Sequence, residues 1–162
     1  MILELNELLK TLETVRTEGK RIVFTNGCFD IVHAGHAYYL QKAKELGDIL
    51  VVGVNSDSSI RRIKGEKRPI IPEHMRAFLL DSLKPVDYVI VFKEDTPEDL
   101  IKCIRPHVLA KGGDWAVENI VGADFVLSYG GKVKLIDFSF DISTSKVIER
   151  IIDLYKPNDP SR

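Results

Sequence analysis

Two histidines and two glycines stand together where an apolar strand is predicted to turn into a helix. Residues 25–36 read TNGCFDIVHAGH, and His33 and His36 are three residues apart, so both face one side of the first helical turn. A helix N-terminus offers free N–H groups and a positive dipole end to an anion. Gly27 and Gly35 permit a close approach that a Cβ atom would obstruct. These residues predict a phosphate-binding turn, with a metal site and a plain structural turn as alternatives.

The metal alternative depends on further ligands. The other histidines, His74 and His107, fall in different predicted elements, whereas zinc pairs on helices usually need a third ligand. Cys28 and Cys103 form neither a disulfide framework nor a ligand cluster, which is typical of a reducing cytoplasm.

Composition limits the class of protein. With 162 residues and 44% apolar side chains, residues 1–162 are predicted to form a single domain. A net charge of −1, from 23 basic and 24 acidic residues, argues against a nucleic-acid partner. The N-terminus is acidic rather than basic, and no apolar run approaches the ~20 residues of a membrane span. A soluble, cytoplasmic protein with no membrane partner is expected.

Apolar runs and helical patterns alternate along the chain. Residues 49–54 read ILVVGV, a continuous run typical of a strand buried on both faces. Further strands are predicted at 20–25, 86–92, 108–110 and 132–136. Helices are predicted at about 3–18, 37–46, 73–83, 97–105, partly within 118–129 and at 143–154, with a short helix and mobile loop over 58–72 and a frayed tail at about 157–162. The alternation predicts an α/β fold, a doubly wound, Rossmann-like sheet of five parallel strands with helices on both faces.

Polar and glycine-containing segments follow several predicted strands. In a doubly wound sheet, ligands bind beyond the carboxyl ends of the strands. The segments expected at this edge are 25–36, 55–57, 93–95, 111–115 and 141–145. We therefore expect one site, built by several loops, at this edge of the sheet.

Two motifs carry a resemblance to a known family. HAGH at 33–36 and ISTSKVI at 142–148 resemble the H-x-G-H and I-S-x-[ST]-x-[IV] signatures of the nucleotidyltransferase superfamily. Over about residues 20–153 the chain is most similar to the adenylyltransferases of D-glycero-β-D-manno-heptose 1-phosphate. The similarity includes IVFTNGCFD at 22–30, VNSD at 54–57, KG at 64–65, RP at 68–69, EDTP at 94–97 and KGGD at 111–114.

The resemblance implies a reaction. AMP would pass from ATP to the heptose 1-phosphate by direct in-line attack, giving ADP-heptose for lipopolysaccharide core synthesis and pyrophosphate, with no covalent enzyme intermediate. Mg²⁺ would bridge the phosphates with few protein ligands. A homodimer is also implied. In much of that family a sugar kinase precedes this domain, and the sequence contains none, so the resemblance implies a stand-alone transferase.

The resemblance also implies roles for individual residues. His33, His36 and Lys64 would be catalytic, with the histidines donating to α- and β-phosphate oxygens and Lys64 closing over the triphosphate together with Arg68. Arg76 would support the nucleotide site, and Asp30 would lie near the metal and the nucleotide. The other nucleotide-binding residues would be Thr25, Asn26, Gly27, Cys28, Phe29, Gly35, Lys111, Gly112, Gly113, Asp114, Ile142, Ser143, Thr144 and Ser145. Asn55, Asp57 and Lys93 would contact the acceptor.

Two other functions stay open at this point. The Ile142-Ser143-Thr144-Ser145 sequence and Trp115 after the Gly-Gly-Asp turn are closer to the cytidylyltransferases, so a CTP-dependent enzyme acting on glycerol 3-phosphate or another polyol or sugar phosphate is the first alternative. The second is a nucleotide-binding module without turnover, against which the intact His33, His36, Lys64 and Ser143 argue.

Overall fold

The computed structural model describes residues 1–113, 116–137 and 140–155. Its centre is one parallel sheet of five strands in the order β3-β2-β1-β4-β5. The strands are β1 Ile22–Gly27, β2 Ile49–Asn55, β3 Tyr88–Phe92, β4 Val108–Gly112 and β5 Lys132–Ile136. The helices are α1 Leu5–Thr17, α2 Ala34–Lys44, α3 Asp57–Lys64, α4 Glu73–Asp81, α5 Glu98–Ile104, α6 Ala123–Ser128 and α7 Thr144–Leu154, with a 3₁₀ turn at Val117–Asn119.

Side chains that alternate along the strands divide the interior into two cores. Phe24 and Leu109 pack with α1, α5 and α6 on one face, which we call the α5 face. Val23 and Ala110 pack with α2 and α4 on the other face, which we call the α2 face. The predicted five-stranded α/β sheet with helices on both faces is confirmed.

The bounds of several elements differ from the predictions. β1 and β4 continue two residues beyond their predicted ends, to Gly27 and Gly112, and so carry Asn26 and Lys111 within the sheet. The region 118–129 is divided between the 3₁₀ turn and α6 because Gly122 between them has a φ of +83°, and a Cβ atom there would lie 2.6 Å from Ile101 Cδ1. The predicted tail at 157–162 lies outside the described residues.

No helix in the described part of the chain has the length and apolar character needed to cross a membrane.

Candidate functional site

The turn after β1 stacks its two histidines at the start of α2. His33 is the N-cap residue, and the centroids of its ring and the His36 ring are 3.9 Å apart at an interplanar angle of 27°. The His33 backbone N–H donates to His36 Nδ1 at 3.4 Å. Because Nδ1 accepts this hydrogen bond, the neutral His36 ring carries its proton on Nε2, which is then a donor for a ligand.

Both imidazoles are neutral at physiological pH. Burial, together with the neighbouring His33, lowers the pKa of His36 to about 4, and burial also lowers the pKa of His33. His33 Nδ1 is buried and has no hydrogen-bond partner in the described part of the chain. The pair therefore offers N–H donors to an anion without presenting two positive charges to each other.

Gly35 leaves little room for a side chain where α2 begins. A Cβ atom at this position would lie 3.0 Å from His33 Nδ1 and 3.3 Å from Ile142 Cγ2. The glycine thus allows the segment before α7 to lie close against the start of α2.

A cavity of about 520 Å³, the first cavity, lies between the starts of α2 and α7. Ser143 caps α7, where its Oγ accepts a hydrogen bond from the Lys146 N–H at 3.2 Å. Two helix N-termini therefore face one space, together with the exposed Lys64 at the end of α3. Helix N-termini and a lysine are groups that bind a polyphosphate.

A second cavity, of about 550 Å³, adjoins the first. The two share the lining residues Cys28, Phe29, His36, Tyr39 and Lys64. In the second cavity Lys111 Nζ donates a hydrogen bond to Asn26 Oδ1 at 2.6 Å. The site thus has room for two ligands that meet at the end of β1.

Asp30 anchors the basic loop that follows α3. Its fully buried carboxylate accepts hydrogen bonds from the Ile70 and Ile71 N–H groups, each at 2.8 Å, and from Arg68 Nε at 2.5 Å. Burial alone would raise the pKa of Asp30, but these hydrogen bonds and the charge of Arg68 outweigh it and lower that pKa below its usual value. The buried Asp30 carboxylate therefore holds the Arg68 side chain beside the first cavity.

Replacing Asp30 with Asn is expected to lower the free energy of unfolding by roughly 2 kcal/mol near pH 7, because buried donors lose a charged acceptor. Since folding lowers the pKa of Asp30, the wild-type advantage is fully present above about pH 4 and is lost as the pH falls through the folded-state pKa. Urea unfolding of both proteins at about pH 7 and about pH 2.5 measures the difference in their free energies of unfolding. The exposed Glu13→Gln variant is the control, and an equal loss at both pH values would contradict this role of Asp30.

Arg76 joins the β1 turn to α3 and α4. Its side chain is fully buried and donates to the Ile71 carbonyl, the Cys28 carbonyl and Asp57 Oδ1 at 2.8, 2.6 and 2.8 Å. Arg76 and Asp57 consequently lie behind the cavity wall and shape it.

Comparison with known proteins identifies the family. The sequence model described as cytidylyltransferase-like matches residues 24–150, which include the β1 turn and the start of α7. The chain belongs to the cytidylyltransferase-like family. It is similar in sequence to "Bifunctional protein HldE" of Pelobacter propionicus, with 56% identity over 144 residues, and to the protein of the same name from Syntrophotalea carbinolica, with 56% identity over 155 residues.

This cytidylyltransferase-like chain covers only part of those relatives. The two alignments include 89% and 95% of the chain but 30% and 32% of the relatives' lengths. In structure the chain is similar to the lipopolysaccharide core biosynthesis protein from Thermoplasma volcanium, with a TM-score of 0.61 and 34% identity. That alignment covers 76% of this chain and 100% of the other.

The predicted site residues of this cytidylyltransferase-like chain lie partly in the first cavity, partly in the second cavity and partly outside both. The first cavity is lined by Cys28, Phe29, Asp30, His33, Gly35, His36, Lys64, Arg68, Ile142, Ser143, Thr144 and Ser145. The second is lined by Asn26, Gly27, Asn55, Lys111 and Gly112, besides the shared residues. Thr25 is buried behind both, Gly113 donates its N–H to the Ile136 carbonyl, and Asp114 lies outside the described residues. Lys93 lies apart from both cavities, in a small cleft beside Leu5 and Leu100.

Sequence reasoning missed Tyr39, which lines both cavities. Its hydroxyl group bonds to Thr25 Oγ1 at 2.5 Å and donates to the Ala110 carbonyl at 3.1 Å. Burial raises the pKa of Tyr39 to about 12, so the hydroxyl group stays protonated. The sequence did indicate this position, because Tyr39 comes three residues after His36 and so lies on the same side of α2. Asp95 in the second cavity and Lys146 in the first lie in the segments 93–95 and 142–148 that the sequence analysis singled out, but neither was assigned a role. Asn119 in the second cavity was missed, and for it the sequence holds no signal.

Proposed function

We propose that this chain is a nucleotidyltransferase that transfers AMP from ATP to D-glycero-β-D-manno-heptose 1-phosphate, giving ADP-heptose and pyrophosphate. The observation that carries the proposal is the first cavity, where the neutral histidine pair and two helix N-termini face one space. Membership of the cytidylyltransferase-like family supports nucleotidyl transfer. The relatives named HldE and the lipopolysaccharide core protein support the heptose acceptor that the sequence resemblance implies.

The chemistry requires placement and charge stabilisation. A sugar phosphate is already ionised at neutral pH, so no general base is needed, and its oxygen attacks the α-phosphorus of ATP while the bond to the β-phosphate breaks. His36 donates from Nε2 to an α-phosphate oxygen, where negative charge develops in the transition state. Ser143, Thr144 and the first turn of α7 hold the leaving pyrophosphate, and Lys64 lies between the two cavities.

Magnesium enters this proposal as part of the substrate. Among residues 1–113, 116–137 and 140–155, no three His, Cys, Asp or Glu side chains lie close enough together to hold a metal ion. Mg²⁺ usually binds through substrate phosphates with one or two carboxylates at most, so the MgATP complex fits this donor set.

A second candidate is a cytidylyltransferase that uses CTP and a polyol phosphate. The sequence of residues 142–145 favours this second candidate, since Ile-Ser-Thr-Ser is closer to the cytidylyltransferase form of the motif. This candidate shares the first cavity and the in-line reaction. It differs in the base and in the acceptor.

Pyrophosphate release separates the candidates. The protein is expected to release pyrophosphate with ATP only when heptose 1-phosphate is present, and to do so at least about tenfold slower with CTP. The panel of acceptors also contains glycerol 3-phosphate and other sugar 1-phosphates. Turnover with CTP and glycerol 3-phosphate alone would establish the second candidate, and no turnover with any pair would indicate a module without activity.

We also propose that the chain forms a homodimer, as the resemblance implies. Met75, Phe78 and Leu79 lie on one side of α4 and are exposed, so this helix offers an apolar surface to a second copy.

A further inference from the structure

Strands β1 and β4 separate from each other before either strand ends. β1 pairs with β2 along its whole length, and β4 pairs with β5 along its whole length. Between β1 and β4, however, the paired residues end at Phe24 and Leu109. The next residues, Thr25 and Ala110, therefore stand on the two sides of a gap in the sheet. In a doubly wound sheet, such a gap between neighbouring strands is where a crevice for ligands forms.

The hydroxyl group of Tyr39 spans this gap. It bonds to Thr25 Oγ1 on one side and donates to the Ala110 carbonyl on the other. A phenol has a single proton, and since that proton goes to Ala110, the Thr25 hydroxyl group must be the donor to the Tyr39 oxygen. Thr25 is fully buried and Tyr39 is 7% exposed, so water does not compete for these bonds. An unbroken chain of hydrogen bonds thus runs from β1 through α2 to β4.

These hydrogen bonds fix the first turns of α2 on the sheet. Tyr39 lies one helical turn after His36, on the same side of the helix. Leu40 and Ala43 of α2 are also buried against the sheet, but apolar contacts have no preferred direction. Hydrogen bonds do have one, because their strength depends on both distance and angle. The Tyr39 hydroxyl group therefore determines where the start of α2 lies relative to the ends of β1 and β4.

The position of the His36 ring depends on this part of α2. The ring stacks on His33 and lies 5.3 Å from the Phe29 ring, measured between centroids. Its hydrogen bond from the His33 N–H is long, at 3.4 Å. His33 and Phe29 belong to the same turn as His36 and would move with it. The place of His36 Nε2 relative to the sheet is consequently set by the contacts between α2 and the strands.

We propose that Tyr39 is a positioning residue for nucleotidyl transfer, whose hydroxyl group ties the start of α2 to β1 and β4 and so places the His36 donor. The inference rests on the proposed function for the role of His36. Tyr39 acts through His36 because its single proton is committed to Ala110 and is not free for a phosphate oxygen. A displacement of about 1 Å in a catalytic group can cost on the order of 100-fold in rate, so a small shift of α2 is enough.

A pair of matched variants tests this role. Tyr39→Phe removes the hydroxyl group and keeps the ring, and we expect kcat to fall at least about tenfold while the KM for ATP changes less than about threefold. The control is Tyr129→Phe, which removes a hydroxyl group that donates to the Pro106 carbonyl at 2.8 Å, before the start of β4. This control loses a similar hydrogen bond and is expected to keep its kcat. An equal loss of kcat in both variants, or a normal kcat in Tyr39→Phe, would overturn the proposal.

A double variant distinguishes positioning from general loosening of the structure. If Tyr39 acts through His36, Tyr39→Phe should lower kcat by less than about twofold in a protein that already carries His36→Ala. Loss of structure elsewhere in the site would lower kcat by the same factor in both backgrounds. That result would overturn the proposal.

A spectroscopic readout needs no turnover. In protein labelled with ¹⁵N-histidine, the nitrogen chemical shifts report which ring nitrogen carries the proton, and in the wild type we expect this to be Nε2 of His36. We expect Tyr39→Phe to shift the His36 signals towards a mixture of tautomers and Tyr129→Phe to leave them in place. Unchanged His36 signals in Tyr39→Phe would overturn the proposal. Because the spectra are recorded without ATP or acceptor, this result is independent of whether the proposed reaction is correct.

Discussion

Replacing His36 with Ala is expected to lower kcat about 100-fold or more, while the KM for ATP changes severalfold at most. The physical reason is that His36 Nε2 donates where charge develops, so the hydrogen bond is stronger in the transition state than in the bound substrate. The stacked, half-buried ring is held by the His33 N–H and is neutral before ATP binds. Steady-state pyrophosphate release as a function of ATP concentration measures both constants.

Two variants accompany this experiment. His74→Ala removes an exposed histidine of α4 and is expected to leave kcat unchanged. His36→Gln supplies an N–H donor near the position of Nε2 and is expected to retain more activity than His36→Ala. A His36→Ala protein with nearly normal kcat would refute the role assigned to this histidine.

Replacing Arg76 with Met is expected to lower the free energy of unfolding by roughly 3–5 kcal/mol. Arg76 is 1% exposed, and its loss leaves two backbone carbonyls and Asp57 Oδ1 without their donor. Those acceptors belong to the β1 turn, to the loop before α4 and to the start of α3. Urea unfolding followed by circular dichroism measures the change.

The matched control is Arg61→Met, which removes an exposed arginine from α3 and is expected to change the free energy of unfolding by less than about 0.5 kcal/mol. If Arg76→Met folds, its kcat should also fall, because the Cys28 carbonyl lies in the turn that places His36. A loss of stability below about 1 kcal/mol would mean that water or a rearranged side chain satisfies the three acceptors.

The fold was predictable because local sequence patterns indicate most of its strands and helices. A continuous apolar run such as ILVVGV in β2 is readable without knowledge of the tertiary structure. The histidine pair was predictable for the same reason, since its spacing and its place between strand and helix carry the signal. The end of β1 was not predictable, because Asn26 and Gly27 have low strand propensity. They are held in the sheet by pairing with Gly53 and Val54 of β2.

The division of the site into two cavities could not be read from motif order. Lys111 and Ser143 both fall in segments that were predicted to lie beyond the ends of strands, and both carry the family resemblance, yet they line different cavities. The alternation of side chains along β4 determines this difference, and applying it requires knowing that the strand continues to Gly112. The partners of Asp30 and Arg76 were equally hidden, because Ile70, Ile71 and Cys28 contribute backbone atoms that any residue would supply.

The most direct test of the proposed reaction is phosphorus NMR of the product formed from an equimolar mixture of MgATP and MgCTP with heptose 1-phosphate. We predict two coupled diphosphate resonances, from a product whose mass is that of ADP-heptose, and one pyrophosphate for each molecule formed. A product with the mass of CDP-heptose, or no diphosphate product while ATP and heptose 1-phosphate remain intact, would contradict the proposal.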